Sequence, residues 1–367
     1  MKIAIIGCRG YPYVYSGYET FVKELSERLA QDMDVTVYCH KNLFKNRTRR
    51  VNNINLVYIP TIERKALAQF IHSMQSMMHA CFKKYDIILV VNAANGPFGL
   101  FTKLFRKKTA INVDGLEWLR PKWRGLGARY FYWAAKLAVK LYDKVITDSL
   151  AMQKIYEKEF GASSVLISYG ANIRYSQNKE LIKRWGLEEG GYYLVVGRLI
   201  PDNNADLIIR EFISSRSIKK LVIVGDVPYR DSFADKMKET GNNKIIFTGY
   251  VNEEKILEEL YLNCFAYIHG HEFGGTNPAL LTALGCGSAA VALDTVFNRE
   301  VLIDQEYGIL FDKVPQALKG IMEALEANPA LLEPYRQKAR ERVKEYYNWE
   351  KIAAEYKDLF CRSMAGA

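Results

Sequence analysis

No stretch of this 367-residue chain approaches the roughly 18 uninterrupted apolar residues that a membrane-spanning helix requires. Cysteine is sparse. The six residues at 8, 39, 81, 264, 286 and 361 lack the spacing of a metal ligand set or a disulfide framework. They fit buried free thiols in a reducing cytoplasm. Only five histidines occur, and no carboxylate cluster suggests a metal site. Internal repeats and low-complexity tracts are missing, which excludes solenoids and disordered polymers. The first apolar run, Ile3 to Ile6, stops at Gly7 without a cleavage site, so it reads as a strand and not as a signal peptide.

What is present suits an ordered globular protein, with 49% hydrophobic and 25% charged residues. The length exceeds the usual size of one hydrophobic core, so two domains are expected. Charge is uneven. Residues 1–168 hold 26 Lys and Arg against 13 Asp and Glu, whereas the remainder holds 25 against 28. That asymmetry turns the first half towards an anionic partner, either a membrane surface or nucleic acid, with a merely soluble basic surface as the plainer account.

Short β-type runs alternate with helical patterns along both halves. Strands are expected at 3–6, 35–39, 55–59, 87–91, 109–113 and 144–147, and a helix at 19–30 repeats Phe21, Val22, Leu25 and Leu29. A turn-like, polar stretch at 168–179 follows. The alternation then restarts with strands at 192–196, 221–224, 244–248, 264–268, 289–293 and 308–311, several of them ending in glycine. Strands separated by helices imply parallel, doubly wound sheets, whose ligands bind beyond the strand C-termini. Residues 64–82 place Leu67, Phe70, Ile71, Met74, Met77, Met78 and Cys81 largely on one helical face. Packing on the sheet accounts for them, while the flanking Lys65, Lys83 and Lys84 leave membrane contact open. A last amphipathic helix at 349–360 repeats Ile352, Ala353, Tyr356, Leu359 and Phe360.

The densest chemistry lies at 267–281. A β-type run leads into His269, Gly270, His271, Glu272, Phe273, Gly274, Gly275, Thr276 and Asn277, then into the helical Leu280, Leu281, Ala283 and Leu284. Backbone N–H groups at a helix N-terminus attract anions such as a diphosphate. A tight turn explains the glycines, but not two histidines and a glutamate beside them.

Four further blocks accompany this one. They are Gly7-Cys8-Arg9-Gly10-Tyr11-Pro12 with Ser16-Gly17-Tyr18-Glu19-Thr20-Phe21, Asn112-Val113-Asp114-Gly115-Leu116-Glu117-Trp118, Val196-Gly197-Arg198-Leu199-Ile200-Pro201-Asp202-Asn203-Asn204, and Phe297-Asn298-Arg299-Glu300-Val301. Together they resemble the bacterial rhamnosyltransferases within the retaining family 4 glycosyltransferases of GT-B fold. The resemblance implies two Rossmann-like α/β domains facing across a cleft, with the C-terminal helix packing back on the first. It implies an acceptor domain over 1–168, a nucleotide-sugar domain over 169–347 and a crossover helix and tail over 348–367. The implied reaction takes L-rhamnose from dTDP-β-L-rhamnose to a sugar on a polyprenyl diphosphate, with retention and without a metal or other cofactor.

The same resemblance assigns roles. Arg198 stabilises the leaving diphosphate with help from Arg299, and Glu272 faces the sugar or the breaking bond. Gly17, Asn203, His271, Gly274, Gly275, Thr276, Asn277 and Thr282 join them around the donor. Asp114 binds an acceptor hydroxyl or acts as a base, with Glu117 and Trp118 beside it, although a turn-forming role for Asp114 is nearly as good an account. Two departures stand out. The lysine that usually follows the Arg198 position is absent, and Thr282 replaces a carboxylate expected to bind ribose hydroxyls. Threonine accepts less than a carboxylate, which favours a deoxyribose donor over UDP-glucose or GDP-mannose. Basic clusters at Lys41, Lys45, Arg47, Arg49 and Arg50, at Lys103, Arg106, Lys107 and Lys108, and at Arg120, Lys122 and Arg124 lie near aromatics. They point to peripheral attachment at the inner face of the cell membrane, and no recognised nucleic-acid module accompanies them. The alternatives are another nucleotide-sugar donor, a catalytically silent glycan or nucleotide binder, and an NAD-dependent oxidoreductase, for which Gly7-Cys8-Arg9-Gly10 lacks the full dinucleotide fingerprint.

Overall fold

A computed structural model describes residues 1–13, 17–62, 65–121, 123, 125–227, 231–239 and 241–365, with residues 65 and 66 as backbone only. Ser16, Arg64, Lys122 and Arg124 therefore lie outside the described residues, as does the side chain of Lys65. The chain divides into two units, Met1–Tyr169 with Trp349–Ala367, and Gly170–Asn348.

The first unit is built on eight strands: β1 (Lys2–Ile6), β2 (Asp34–His40), β3 (Arg50–Val51), β4 (Ile54–Ile59), β5 (Ile87–Val91), β6 (Thr109–Asn112), β7 (Lys144–Thr147) and β8 (Val165–Leu166). They lie in the order β3-β4-β2-β1-β5-β6-β7-β8, all neighbours parallel except the β3–β4 pair. Ile3, Ile5 and the whole of β5 are buried, because helices cover both faces of a parallel sheet. Strands β3 and β8 are too short to leave a periodic signal, and the sequence pattern does not reveal them. The order reverses between β1 and β5, and this switch point has a steric consequence. Gly7, just past β1, has φ +107°, and a Cβ there would meet Val91 O at 2.3 Å.

Helix Trp349–Ala365 belongs to this unit. Its buried Trp349 and Tyr356 rings lie 6.3 and 5.6 Å from Phe21 in helix Gly17–Leu29. The Tyr356 hydroxyl accepts from Asn112 Nδ2 at 2.9 Å, and Arg28 pairs with Glu350 at 2.8 Å.

Helix Lys65–Cys81 buries only part of its expected apolar face. His72, Ser73, Ser76, Met77, Ala80 and Cys81 are buried and Ile71 and Met74 half-buried, while Leu67, Phe70 and Met78 are exposed. Polar side chains share the inward side with the apolar ones. Ser76 Oγ lies 3.4 Å from His72 Nε2, and Gln69 donates to Ser73 Oγ at 3.2 Å and to Gly7 O at 2.9 Å, so several of the inward polar groups are paired.

The second unit holds β9 (Tyr192–Val196), β10 (Lys220–Val224), β11 (Ile245–Gly249), β12 (Ala266–His269), β13 (Ala290–Leu293) and β14 (Ile309–Phe311) in the parallel order β11-β10-β9-β12-β13-β14. Its core gathers Tyr193, Ile208, Phe212, Leu221, Phe265, Val291 and Leu318. The order reverses between β9 and β12, so the loops after these two strands flank a second switch point.

Candidate functional site

The loop after β9 and the loop after β12 are tied together at that second switch point. Gly270 sits so close to the first loop that a Cβ would meet Asn203 O at 2.4 Å and Ile208 Cδ1 at 3.0 Å. Asn204 has φ 51°, a left-handed conformation that asparagine tolerates better than most residues. Its Nδ2 donates to Gly270 O at 2.9 Å and to Glu272 Oε2 at 3.1 Å. The backbone N–H of Glu272 donates to Asp202 O at 3.0 Å, and His271 Nδ1 lies 2.7 Å from Asn203 Oδ1. Asn298 closes the far side by donating to His271 O at 3.2 Å and Leu293 O at 2.8 Å. Four residues picked from sequence, Asn203, His271, Glu272 and Arg198, are thus carried by one bonded pair of loops. Arg198 is exposed two residues past β9, and among the described residues its guanidinium has no ion-pair partner.

A cation that the sequence did not single out also reaches this loop. Lys313, two residues past β14, places Nζ 2.6 Å from Glu272 Oε2. Some 41 residues of chain separate the pair, so no local spacing could have joined them.

His269 does not belong to the turn, as the sequence suggested. It is the last residue of β12, buried, with Nδ1 2.9 Å from the Tyr267 hydroxyl. Burial pushes its pKa down to about 3, so it is neutral at physiological pH. Beyond the turn, Gly274 has φ 109° and Thr276 is buried. Asn277 caps helix Pro278–Cys286 by accepting from Ala279 N at 2.9 Å. Thr282 gives its hydroxyl proton to Pro278 O at 2.9 Å and so offers a ligand acceptor capacity only.

Arg299 stands apart from these groups. Asp294 grips its guanidinium through two bonds and Asp304 adds a third at 3.1 Å, which raises its pKa and balances its charge locally.

In the first unit, Asp114 lies just past β6. Tyr169 donates its hydroxyl to Asp114 Oδ2, and Tyr18 donates to the backbone oxygen at 3.2 Å. Burial lifts the Asp114 carboxyl to about 7, against the opposing pull of the Tyr169 bond and the Arg120 charge. Glu117 accepts from Trp123 Nε1 at 2.8 Å and pairs with Arg120 at 3.2 Å. Trp118 packs edge-on against Tyr132, Tyr156 and Phe160. Both therefore have internal partners. Gly17 opens helix Gly17–Leu29 next to residues that are not described, and Glu19 reaches back to accept from Arg9 N at 3.2 Å.

One face of this unit is apolar and basic. Phe82 is 71% and Leu104 76% exposed, Leu100 and Phe105 are exposed as well, and the Phe82 and Phe105 rings meet at 4.9 Å. Lys83, Lys84, Lys103 and Arg106 surround them as exposed cations. Among the described residues, no helix is long and apolar enough to cross a membrane, and no three His, Cys, Asp or Glu side chains gather as metal ligands would.

Comparison with known proteins follows the two units. Residues 177–345 match the family described as Glycosyl transferases group 1, and residues 1–172 match a domain of unknown function, DUF1972. An uncharacterized glycosyltransferase of Methanocaldococcus jannaschii is 29% identical over 393 residues, which cover 98% of this chain and 99% of that protein. The N-acetylgalactosamine-N,N'-diacetylbacillosaminyl-diphospho-undecaprenol 4-alpha-N-acetylgalactosaminyltransferase of Campylobacter jejuni is 29% identical over 160 residues, 42% of each chain. Among solved structures, Anabaena HepE in complex with UDP matches with a TM-score of 0.78 at 16% identity, over 99% of this chain and 100% of that one, a likeness of fold.

Proposed function

We propose that this chain, whose residues 177–345 match the family described as Glycosyl transferases group 1, transfers L-rhamnose from dTDP-β-L-rhamnose to a sugar on a polyprenyl diphosphate, within cell-surface polysaccharide assembly. Its two sheet-based units have the GT-B architecture. The observation that carries the proposal is the second switch point, where Glu272 is fixed by Asn204 while Arg198 keeps an exposed guanidinium.

In this proposal the bond between the anomeric carbon and the diphosphate oxygen breaks, with its electron pair going to the phosphate. The acceptor hydroxyl oxygen bonds to the anomeric carbon on the same face, and its proton passes to the departing phosphate oxygen. Arg198 stabilises that developing charge. Glu272, with His271 and Asn203, orients the sugar, while Gly274, Gly275, Thr276 and Asn277 form the turn at the helix N-terminus that the diphosphate approaches. Arg299, held by two carboxylates, has little to offer a phosphate. Thr282, with only acceptor capacity, suits a ribose that presents one hydroxyl, as deoxyribose does. Asp114 contacts the acceptor hydroxyl, with Glu117 and Trp118 shaping the wall beside it, and Gly17 lets backbone approach the reacting groups.

The lipid-linked acceptor agrees with the name of the Campylobacter relative and with the apolar, basic face of the first unit, which suits an anionic leaflet. A UDP-sugar donor is the second reading, favoured by the UDP bound in the HepE structure. The test is a donor screen with dTDP-rhamnose, UDP-glucose and GDP-mannose on a lipid-diphosphate monosaccharide, with product mass and anomeric configuration as the readout. A β-L-rhamnoside from dTDP-rhamnose is expected. Clear preference for a ribonucleotide donor overturns the rhamnosyl assignment, and nucleotide binding without turnover identifies a silent binder. Binding to vesicles is expected to need anionic lipid and to weaken with salt.

A further inference from the structure

The lysine expected soon after Arg198 is missing, and the loop carries Asp202, Asn203 and Asn204 instead. A departing nucleoside diphosphate nevertheless gains charge that one arginine serves incompletely. Arg299 does not fill the gap, because Asp294 and Asp304 already hold it. The cation that does reach the bonded loops is Lys313, whose ammonium lies 2.6 Å from Glu272 Oε2.

We propose that Lys313, arriving from the loop after β14, is the second cation for the donor diphosphate and replaces by position in space the lysine absent from the loop after β9. This rests on the nucleotide-sugar assignment above and adds a residue to it. Three features support it. An ammonium has three donors and Glu272 takes one, leaving two for phosphate oxygens. The Lys313 side chain is 49% exposed, so a ligand can reach it, and a half-exposed ion pair adds little to stability. Glu272 is itself anchored by Asn204, so the ammonium is held at the residue that opens the loop leading into helix Pro278–Cys286. Lys313 follows the edge strand β14, and its side chain crosses the C-terminal end of β13 to meet the loop after β12. Without Lys313, Glu272 would keep a net negative charge beside the phosphates, so the residue acts both by attraction and by cancelling that repulsion.

The experiment measures binding of dTDP, dTMP and thymidine, with UDP and UMP as a parallel set, to the full chain, Lys313→Met and Lys313→Arg by calorimetry at several salt concentrations. Wild type should prefer the diphosphate to the monophosphate. Lys313→Met should lose about ten- to hundred-fold in diphosphate affinity, a much smaller factor for the monophosphate and nothing for the nucleoside, and should show a shallower salt dependence. Lys313→Arg should restore most of the preference. An unchanged ratio of diphosphate to monophosphate affinity in Lys313→Met overturns the proposal even if both fall together, since that would mark a lysine that merely steadies Glu272. If the wild-type chain binds no nucleoside diphosphate, the donor assignment fails and this proposal with it. If wild type binds and only the ratio is unaffected, the donor assignment stands alone.

Discussion

The same substitution, glycine to alanine, should have opposite effects at two positions of the second unit. At Gly270 the added Cβ would sit 2.4 Å from Asn203 O, 3.0 Å from Ile208 Cδ1 and 3.3 Å from Asn204 Cβ. Two of those three atoms belong to backbone or to a left-handed residue with little freedom to move, so the loops must separate. Overpacking of this kind costs about 1–3 kcal/mol. Separation also stretches the buried bond from Asn204 Nδ2 to Gly270 O, for which the loss is about 1–3 kcal/mol. Allowing for overlap between the two effects, Gly270→Ala should destabilise the second unit by roughly 2–4 kcal/mol. Gly320 stands in the exposed interior of helix Ala317–Ala327, and a Cβ there meets nothing within 4 Å. Gly320→Ala should stabilise by about 1 kcal/mol through helix propensity. Because the chain has two units, hydrogen exchange of peptides from β9 and β12 across a urea series separates the second unit from the first. Gly270→Ala should also weaken dTDP binding, since Glu272 follows the displaced loop, whereas Gly320→Ala should leave it intact. A neutral or stabilising Gly270→Ala would refute the close approach of the two loops, and with it the geometry assigned to the site.

Acidification tests the buried histidines. Burial lowers His269 to about 3, and His40 and His72 in the first unit to about 4 and about 3, each from an ordinary value of 6.5. Their contribution is complete above 6.5 and is lost as pH falls towards those values, amounting to about 1.4 kcal/mol each at pH 5.5. Urea midpoints at pH 7.5 and 5.5 should therefore drop, and a flat profile in the second unit would contradict a buried, neutral His269. Asp114 works in the other direction. Its folded value of about 7 lies above the unfolded one, so its stability contribution is present below the unfolded value and lost as pH rises through 7. Asp114→Asn should accordingly stabilise the first unit at pH 8 by about 1–3 kcal/mol, after allowing for a weaker bond from Tyr169. If Asp114 meets the acceptor hydroxyl, the same variant should lose transferase activity, and a stabilised, fully active Asp114→Asn would remove it from the site.

Much of this protein follows from local pattern. The buried runs of Ile, Val and Leu read as strands because parallel sheets hide both faces, and the glycines after them marked where each strand delivers its ligand loop. The polar cluster from His271 to Asn277 was visible as a run of hydrogen-bonding side chains, of which Asn277 proves to cap the helix that follows. Other features depended on contacts between distant residues. Which loops meet is decided by strand order, so the joining of Asn203 and Asn204 to Gly270 and Glu272 appears only once β9 lies beside β12. Lys313 was invisible for the same reason, since nothing in its immediate sequence distinguishes it from any surface lysine. Helix Lys65–Cys81 shows a partial failure, in which Met77 and Cys81 of the apolar stripe are buried but Leu67, Phe70 and Met78 stay exposed while His72, Ser73 and Ser76 turn inward. Periodicity sets what an element is, whereas the side chains that face it from elsewhere in the chain set which way it turns and what it meets.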